Sequence, residues 1–233
     1  MIDFPAIKQR AKDTLNNSYW VLVGLVLLAG ALGASSGSFG LSFSFNGGMF
    51  KKLFSEEVIN IIRGILIAGS VISLCYTVFV GNVAAVGLAK LTTRAYRGED
   101  FFILDLFHGF RDGRYWRVVG TMALMTLFVL LGCMLFVVPG IIIALGLFPL
   151  PYVLAENDGL SGMDAIRRAW EISNGHKANY FLFCLTFIGW FILNALTCGV
   201  LGVFFVNPYF ELSKAGYYTE LTHPALVYED NRY

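Results

Sequence analysis

Between residues 118 and 154 the chain carries no charged side chain, and this stretch limits the fold more than any other feature. As one helix it would be roughly 55 Å long, well beyond a hydrocarbon core of about 30 Å. Pro139-Gly140 interrupts it, and proline removes a backbone donor and breaks a helix interior. The stretch therefore reads as two membrane spans joined by a turn at Pro139-Gly140. The same length criterion marks six candidate spans, at 20–34, 64–89, 118–138, 141–154, 180–196 and 200–209 with its continuation. Thr197-Cys198-Gly199 supplies the turn of the last pair, and a long Gly-, Ser- and Phe-rich loop around 35–60 separates the first.

A six-residue pattern opens two of these runs: Tyr19-Trp20-x-x-Val23-Gly24 and Tyr115-Trp116-x-x-Val119-Gly120. Amphipathic rings settle at the headgroup level while the residues after them enter hydrocarbon, so the repeat marks where a span begins. Composition agrees, with 57% hydrophobic residues and only 14% charged, where soluble domains carry about 25%. Cys75, Cys133, Cys184 and Cys198 fall in apolar runs without metal-ligand or disulfide-framework spacing and read as small reduced hydrophobes. A formal net charge of +1 argues against nucleic acid as a partner.

If each pair of spans is a hairpin, both termini and the segments 90–117 and 155–179 share one side. Fourteen of the 17 basic residues lie on that side, leaving Lys51, Lys52 and Arg63 outside it. By the positive-inside rule that side, with both termini, is cytoplasmic. A cleavable signal peptide is the rival reading of the start, since Lys8, Arg10 and Lys12 precede an apolar stretch ending near Gly33-Ala34-Ser35. Against it, Asp3 as N-cap, early Pro5 and a face of Phe4, Ile7, Ala11 and Leu15 describe a structural amphipathic helix.

Similar helices precede the other hairpins. Asp100 is expected to cap one presenting Ile103, Leu106, Phe107 and Phe110, ended by Gly113. Ser161 and Asp164 form a capping-box pattern before Ile166, Ala169, Trp170 and Ser173, with Arg167, Arg168 and Glu171 facing away and Gly175 ending the helix. The expected architecture is thus all-α and polytopic, a single membrane domain of three repeated units, each an interfacial amphipathic helix followed by a helical hairpin. The units span 3–98, 99–158 and 159–221, with a polar tail at 222–233; Tyr180-Phe181 is a weaker third entry signal. On this placement Arg111, Arg114, Arg167 and Arg168 are candidate contacts for anionic lipid headgroups.

Tyr115-Trp116 and its apolar run, Val138-Pro139-Gly140-Ile141, the segment from Pro151 through Tyr152 to Glu156 and Asn157, Gly175-His176-Lys177, Phe187-Ile188-Gly189-Trp190 and Asn207-Pro208-Tyr209 together resemble the bacterial integral membrane family called domain of unknown function 975. The resemblance covers about 4–221. More distantly the chain looks like the membrane region attached to some glycerophosphodiester phosphodiesterases. The family resemblance implies the bacterial cytoplasmic membrane and six helices, and brings no defined catalytic residues.

The residues themselves carry no P-loop, no H-E-x-x-H, no Cys/His metal spacing and no G-x-S-x-G. His108, His176 and His223 are widely separated along the predicted cytoplasmic side and read as surface or interfacial groups. No ionisable group falls at mid-span in the six-span reading, as an ion-coupled transporter would require. One constellation stands out: Pro151-Tyr152 and Pro208-Tyr209 sit at matching depth, followed by Glu156 and Glu211, with Asn157 and Asn207 nearby. It reads either as a pair of helix breaks at the interface or as a cytoplasm-facing pocket for a lipid headgroup or small polar molecule. Gly81, Ala85 and Ala89, and Gly140 with Ala144, read as helix-packing seams. Phe39, Phe43, Phe45, Met49 and Phe50 make the outer loop either a rest on the leaflet or a plain surface loop.

Three functions from different classes follow. The leading one is a non-enzymatic membrane protein, without cofactor, that binds membrane lipids or a membrane protein partner, a second copy included. A facilitator or channel-like transporter comes next. An enzyme acting on lipid phosphodiesters rests on the distant phosphodiesterase likeness alone.

Overall fold

The computed structural model describes residues 4–32, 34, 69, 72–73, 75–110, 113–157, 159–197 and 199–224. The expectations placed on Asp3, the 35–60 loop with its phenylalanines, Lys51, Lys52, Arg63, Arg111, Cys198 and the tail beyond 224 lie outside those residues. Among the described residues every regular element is helical. Three segments, Tyr115–Leu135, Val138–Glu156 and Lys177–Leu196, are long and apolar enough to cross a membrane. The pair Phe4–Asn17 and Tyr19–Ala31, bent by 101°, gives a fourth if counted as one span.

Helix α1 (Phe4–Asn17) buries the face read from its spacing, Ile7, Ala11 and Leu15, and turns sharply at Ser18 into α2 (Tyr19–Ala31). A five-residue π segment, Thr77–Gly81, leads into α3 (Asn82–Arg97), which ends at Gly98 with φ of 76°. There Gly98 N–H bonds Ala95 O and Glu99 N–H bonds Arg94 O, a Schellman close that only a residue free of a Cβ adopts without strain. The short α4 (Ile103–Leu106) follows, then α5 (Tyr115–Leu135), α6 (Val137–Gly146), α7 (Leu150–Glu156) and α8 (Gly162–Ser173). The chain closes with α9 (Lys177–Leu185), α10 (Ile188–Leu196), a second π segment at Gly202–Val206, and α11 (Asn207–Thr222).

The two helices that follow π segments form the centre. Helices α3 and α11 are each 16 residues long, begin at an asparagine and are buried along most of their length, although they are far less apolar than α5, α6 or α10. α3 packs on α11 on one side and on α7 on the other. Around them the apolar helices expose what a soluble protein would cover: Leu127, Leu130, Leu131, Met134 and Leu135 on α5, and Ile188, Ile192 and Leu196 on α10. A chain that buries its polar helices and bares its apolar ones suits hydrocarbon as solvent.

Each outer segment meets the break in a different inner one. The Tyr19 hydroxyl donates to Phe204 O at 3.1 Å and the Tyr115 hydroxyl to Phe79 O at 3.0 Å, both acceptors lying in π segments. At the third break, between α6 and α7, the Tyr180 ring stacks on Phe148 with centroids 3.7 Å apart. A π turn leaves carbonyl oxygens off the regular ladder, and a tyrosine hydroxyl supplies the donor that lipid lacks. The short amphipathic helices follow the same order, with α4 on α3, α8 on α7 and α1 on α11. The two Tyr-Trp pairs also share a local geometry: rings edge to face at 5.3 and 5.4 Å, and Trp20 and Trp116 both turned outward, 76% and 72% exposed.

Several expectations are corrected in detail. The hairpin between α5 and α6 turns at the extended Phe136, and Pro139 lies in the first turn of α6, where its missing N–H costs nothing. Gly140 instead lets α6 lie against Cys133 of α5, as the seam reading held. Asp100 does not cap the second amphipathic helix; the Asp105 carboxylate accepts from Phe102 N–H at 3.0 Å, and the helix is one turn long, followed by a 3-10 turn at His108–Phe110. Ser161 stands at the N-cap of α8 without a side-chain capping bond. Gly175, with φ of 80°, stands in the turn that ends α8, as expected.

Close approach on α3 occurs at Gly87, where a Cβ would run into the Leu106 backbone. Gly216 of α11 faces the Tyr96 ring, whose hydroxyl burial pushes up to about 12. Gly24 and Gly120 of the repeated entry pattern have open space, with nothing within 4 Å of where a Cβ would stand. Gly87→Ala is therefore expected to lower stability by about 1–3 kcal/mol in a detergent thermal melt. Gly24→Ala and Gly120→Ala are expected to hold or raise it slightly through helix propensity, and a Gly87→Ala protein as stable as these controls would refute the contact.

Candidate functional site

Helices α3, α7 and α11 run in the same direction, and two hollows are lined by successive turns of all three. The first is a cavity of about 560 Å³ beside their N-terminal halves. Asn82, Ala85 and Ala89 come from α3, Pro151 and Tyr152 from α7, and Glu211 and Lys214 from α11, with Ala144, Phe148 and Tyr180 closing the side. The small residues read as packing seams, Gly81, Ala85, Ala89 and Ala144, also line this space, while Ala89 and Ala85 pack into core clusters as well. Its wall is largely apolar, and its polar end is the ion pair between Lys214 Nζ and Glu211 Oε1 at 2.8 Å. Both side chains are nearly buried, 12% and 8% exposed, and such a pair sits inside hydrocarbon-facing helices only when each charge has the other.

The second hollow, about 660 Å³, opens at the C-terminal ends of the same three helices. Its floor is a linked set: Tyr218 Oη donates to Glu156 Oε2 at 2.6 Å, and Arg97 Nη2 donates to Glu156 Oε1 at 2.5 Å. Tyr152 stacks on Tyr218, centroids 4.8 Å apart and planes 18° from parallel. The stacked tyrosines form a plate between the two hollows, since Tyr152 faces the first and Tyr218 the second.

The Pro-Tyr constellation is thus divided. Pro151, Tyr152 and Glu211 share the inner cavity, whereas Glu156 and Asn157 line the outer hollow. Asn207, Pro208 and Tyr209 line neither: Tyr209 packs among Phe187, Trp190 and Phe205, and Pro208 stands harmlessly at the start of α11. Sequence reading missed Lys214, Tyr180, Tyr218 and Arg97. Lys214 was findable, three residues after Glu211 and so on the same helix face; Arg97 and Tyr218 reach Glu156 across 59 and 62 residues, and no local pattern marks them.

The candidate lipid-contact arginines are equally mixed. Arg167 and Arg168 are exposed on α8, while the opposite face of that helix, Ala165 and Ala169, is buried in the protein core and Trp170 covers Gly146. Arg114 is half-buried with Nη1 3.2 Å from His108 Nε2. Three histidines stay apart as expected, His108 near Lys90 and Arg114, His176 beneath the Tyr217 hydroxyl, His223 beside Arg97. Among the described residues no group of three His, Cys, Asp or Glu side chains is placed to hold a metal.

Bare apolar helices packed around less apolar central ones, beside a cavity, define a helical membrane protein. Residues 118–225 match the model of the family described as Protein of unknown function (DUF975), which bears out the family resemblance over that stretch. No curated protein and no solved structure matches the chain, and nothing among the comparisons supports the glycerophosphodiester phosphodiesterase likeness.

A double-mutant cycle tests the plate. Tyr218→Phe is expected to cost about 1.5–3 kcal/mol, the range for a hydrogen bond to a charged group, and markedly less once Glu156→Gln is present. Additive losses in a detergent melt would mean that the two side chains do not act together.

Proposed function

We propose that this protein is a non-enzymatic component of the bacterial cytoplasmic membrane that holds a lipid in the cavity between α3, α7 and α11. The observation that carries the reading is the cavity itself: an apolar wall built from alanines and methionines, ending at tyrosines and the Glu211–Lys214 pair. An acyl chain fits the wall by dispersion and by exclusion from polar groups, while the ion pair and the Tyr152 and Tyr180 hydroxyls offer hydrogen bonds to a headgroup. Replacing Ala85 and Ala144 by leucine should fill the wall and reduce the lipid that survives in native mass spectra from mild detergent, with little change in melting temperature. Undiminished retention in that variant would overturn the reading.

In this reading the chain has six spans in three units, 3–98, 99–158 and 159–221. The cyclic order of contacts supports it, each unit's amphipathic helix and tyrosine meeting the inner helix or break of the unit before, and the first unit meeting the third. Both termini then face the cytoplasm, where most of the basic residues collect. In a cysteine-free background, an impermeant thiol reagent on whole cells should label Cys at 42 and spare Cys at 161 or 222; the reverse pattern would invert the topology.

A second reading is facilitated passage of a small molecule. It is favoured by the two hollows sharing the same three helices, with the Tyr152–Tyr218 plate between them as the closure.

A further inference from the structure

The geometry points to a second binding site, in the outer hollow, for a phosphate-bearing anion. Four cations reach it from two elements, Lys90, Arg94 and Arg97 on α3 and Arg168 on α8, against two lining carboxylates, Glu99 and Glu156. Those carboxylates are engaged. Glu156 has one oxygen on Arg97 and the other on Tyr218, Glu99 meets Arg94 Nε at 3.4 Å, and Glu171, beside the hollow, meets Arg168 Nη1 at 3.5 Å.

The guanidiniums keep donors to spare. Each carries five N–H groups, yet Arg97 uses only Nη2, toward Glu156 and His223, and with its Nε buried this leaves Nη1 for a ligand. Arg94 is held by Nη1 on both oxygens of Asp105, each at 3.0 Å, and by Nε on Glu99, which leaves Nη2. Arginines held in place by carboxylates and each still carrying an unused nitrogen converge on phosphate oxygens as charge-assisted donors from separate side chains.

The arginines are positioned independently of any ligand. The Schellman close at Gly98 satisfies the last carbonyls of α3 from the backbone, so Arg94 and Arg97 are not needed to cap them. Free phosphate esters and lipid phosphate headgroups share the chemistry the hollow recognises. This site is separate from the inner cavity, whose polar end is a neutralised pair.

Calorimetric titration of the full chain in phosphatidylcholine nanodiscs with glycerol phosphate, and native mass spectrometry after reconstitution with phosphatidic acid, distinguish the two sources. Arg168→Gln, on an exposed side chain, and Arg97→Lys, which keeps the charge toward Glu156 but loses the spare guanidinium nitrogen, should each weaken binding at least fivefold. Binding should also weaken steeply with added salt. Glycerol phosphate bound at unchanged stoichiometry with no phosphatidic acid retained assigns a soluble ester; phosphatidic acid retained by the native chain, lost in the variants and displaced by glycerol phosphate assigns a headgroup. Neither probe binding the native chain, or both variants binding as tightly as it does, would overturn the site. The Ala85→Leu, Ala144→Leu protein should bind these anions normally, so loss of the inner cavity and loss of this site are read separately.

Discussion

Inside hydrocarbon a broken helix has no water to satisfy the carbonyls it frees, and the arrangement of this chain follows from how three breaks are answered. Two are π segments, at Thr77–Gly81 and Gly202–Val206, and each has a carbonyl bonded by a tyrosine from a distant helix. The third, around Pro149, is covered by the Tyr180 ring stacked on Phe148. Each donor sits at the start of one apolar helix and each acceptor in the π segment that leads into another, so the bonds tie helices that are far apart in the chain. The packing of the short amphipathic helices keeps the same order.

Breaks also explain where the cavity lies. A helix interrupted midway cannot fill the space beside the interruption, and the residues there, Ala85, Ala89 and Ala144 with Pro151, are too small or too rigid to do so. Downstream of each break the helix resumes as a more polar segment, held inside by its neighbours. That is why Glu211 and Lys214 lie near the protein's middle with most of their surface covered, although their helix has almost no amphipathic pattern. The cost of burying two charges is met by their pairing, and removing either one alone would cost about 3–5 kcal/mol.

The polar ends of the same helices are organised on a different principle. At the C-terminal ends of α3, α7 and α11 the side chains are longer, charged and open to solvent, and their carboxylates are held by specific donors. Arg97 and Tyr218 grip Glu156 from two sides, and the ring of Tyr218 rests on Tyr152. One aromatic plate thus separates an apolar hollow from a basic one, and a change in its position would alter both.

How much of this was legible in the chain depends on the range of the interaction. Hydrocarbon thickness acts on runs of about 20 residues, so the apolar helices at 115–135, 138–156 and 177–196 and the amphipathic faces of α1 and α8 could be read directly. The Tyr-Trp entries were legible for the same reason, since an aromatic anchor answers to its own depth. The hairpin turn was placed a few residues late, because Pro139 is equally at home in a helix's first turn and the backbone alone chooses. The paired Pro-Tyr motifs read either as two helix breaks or as one pocket, and in the fold one pair lines the cavity while the other packs among aromatics. Sequence by itself determined a helical chain built for lipid, with its aromatic anchors and an uneven distribution of its basic residues among the segments between apolar runs. Tertiary structure alone decided that Glu156 meets Arg97 and Tyr218 and that Ala85 faces a void, because such meetings depend on how helices far apart in the chain pack, and no local periodicity encodes that geometry.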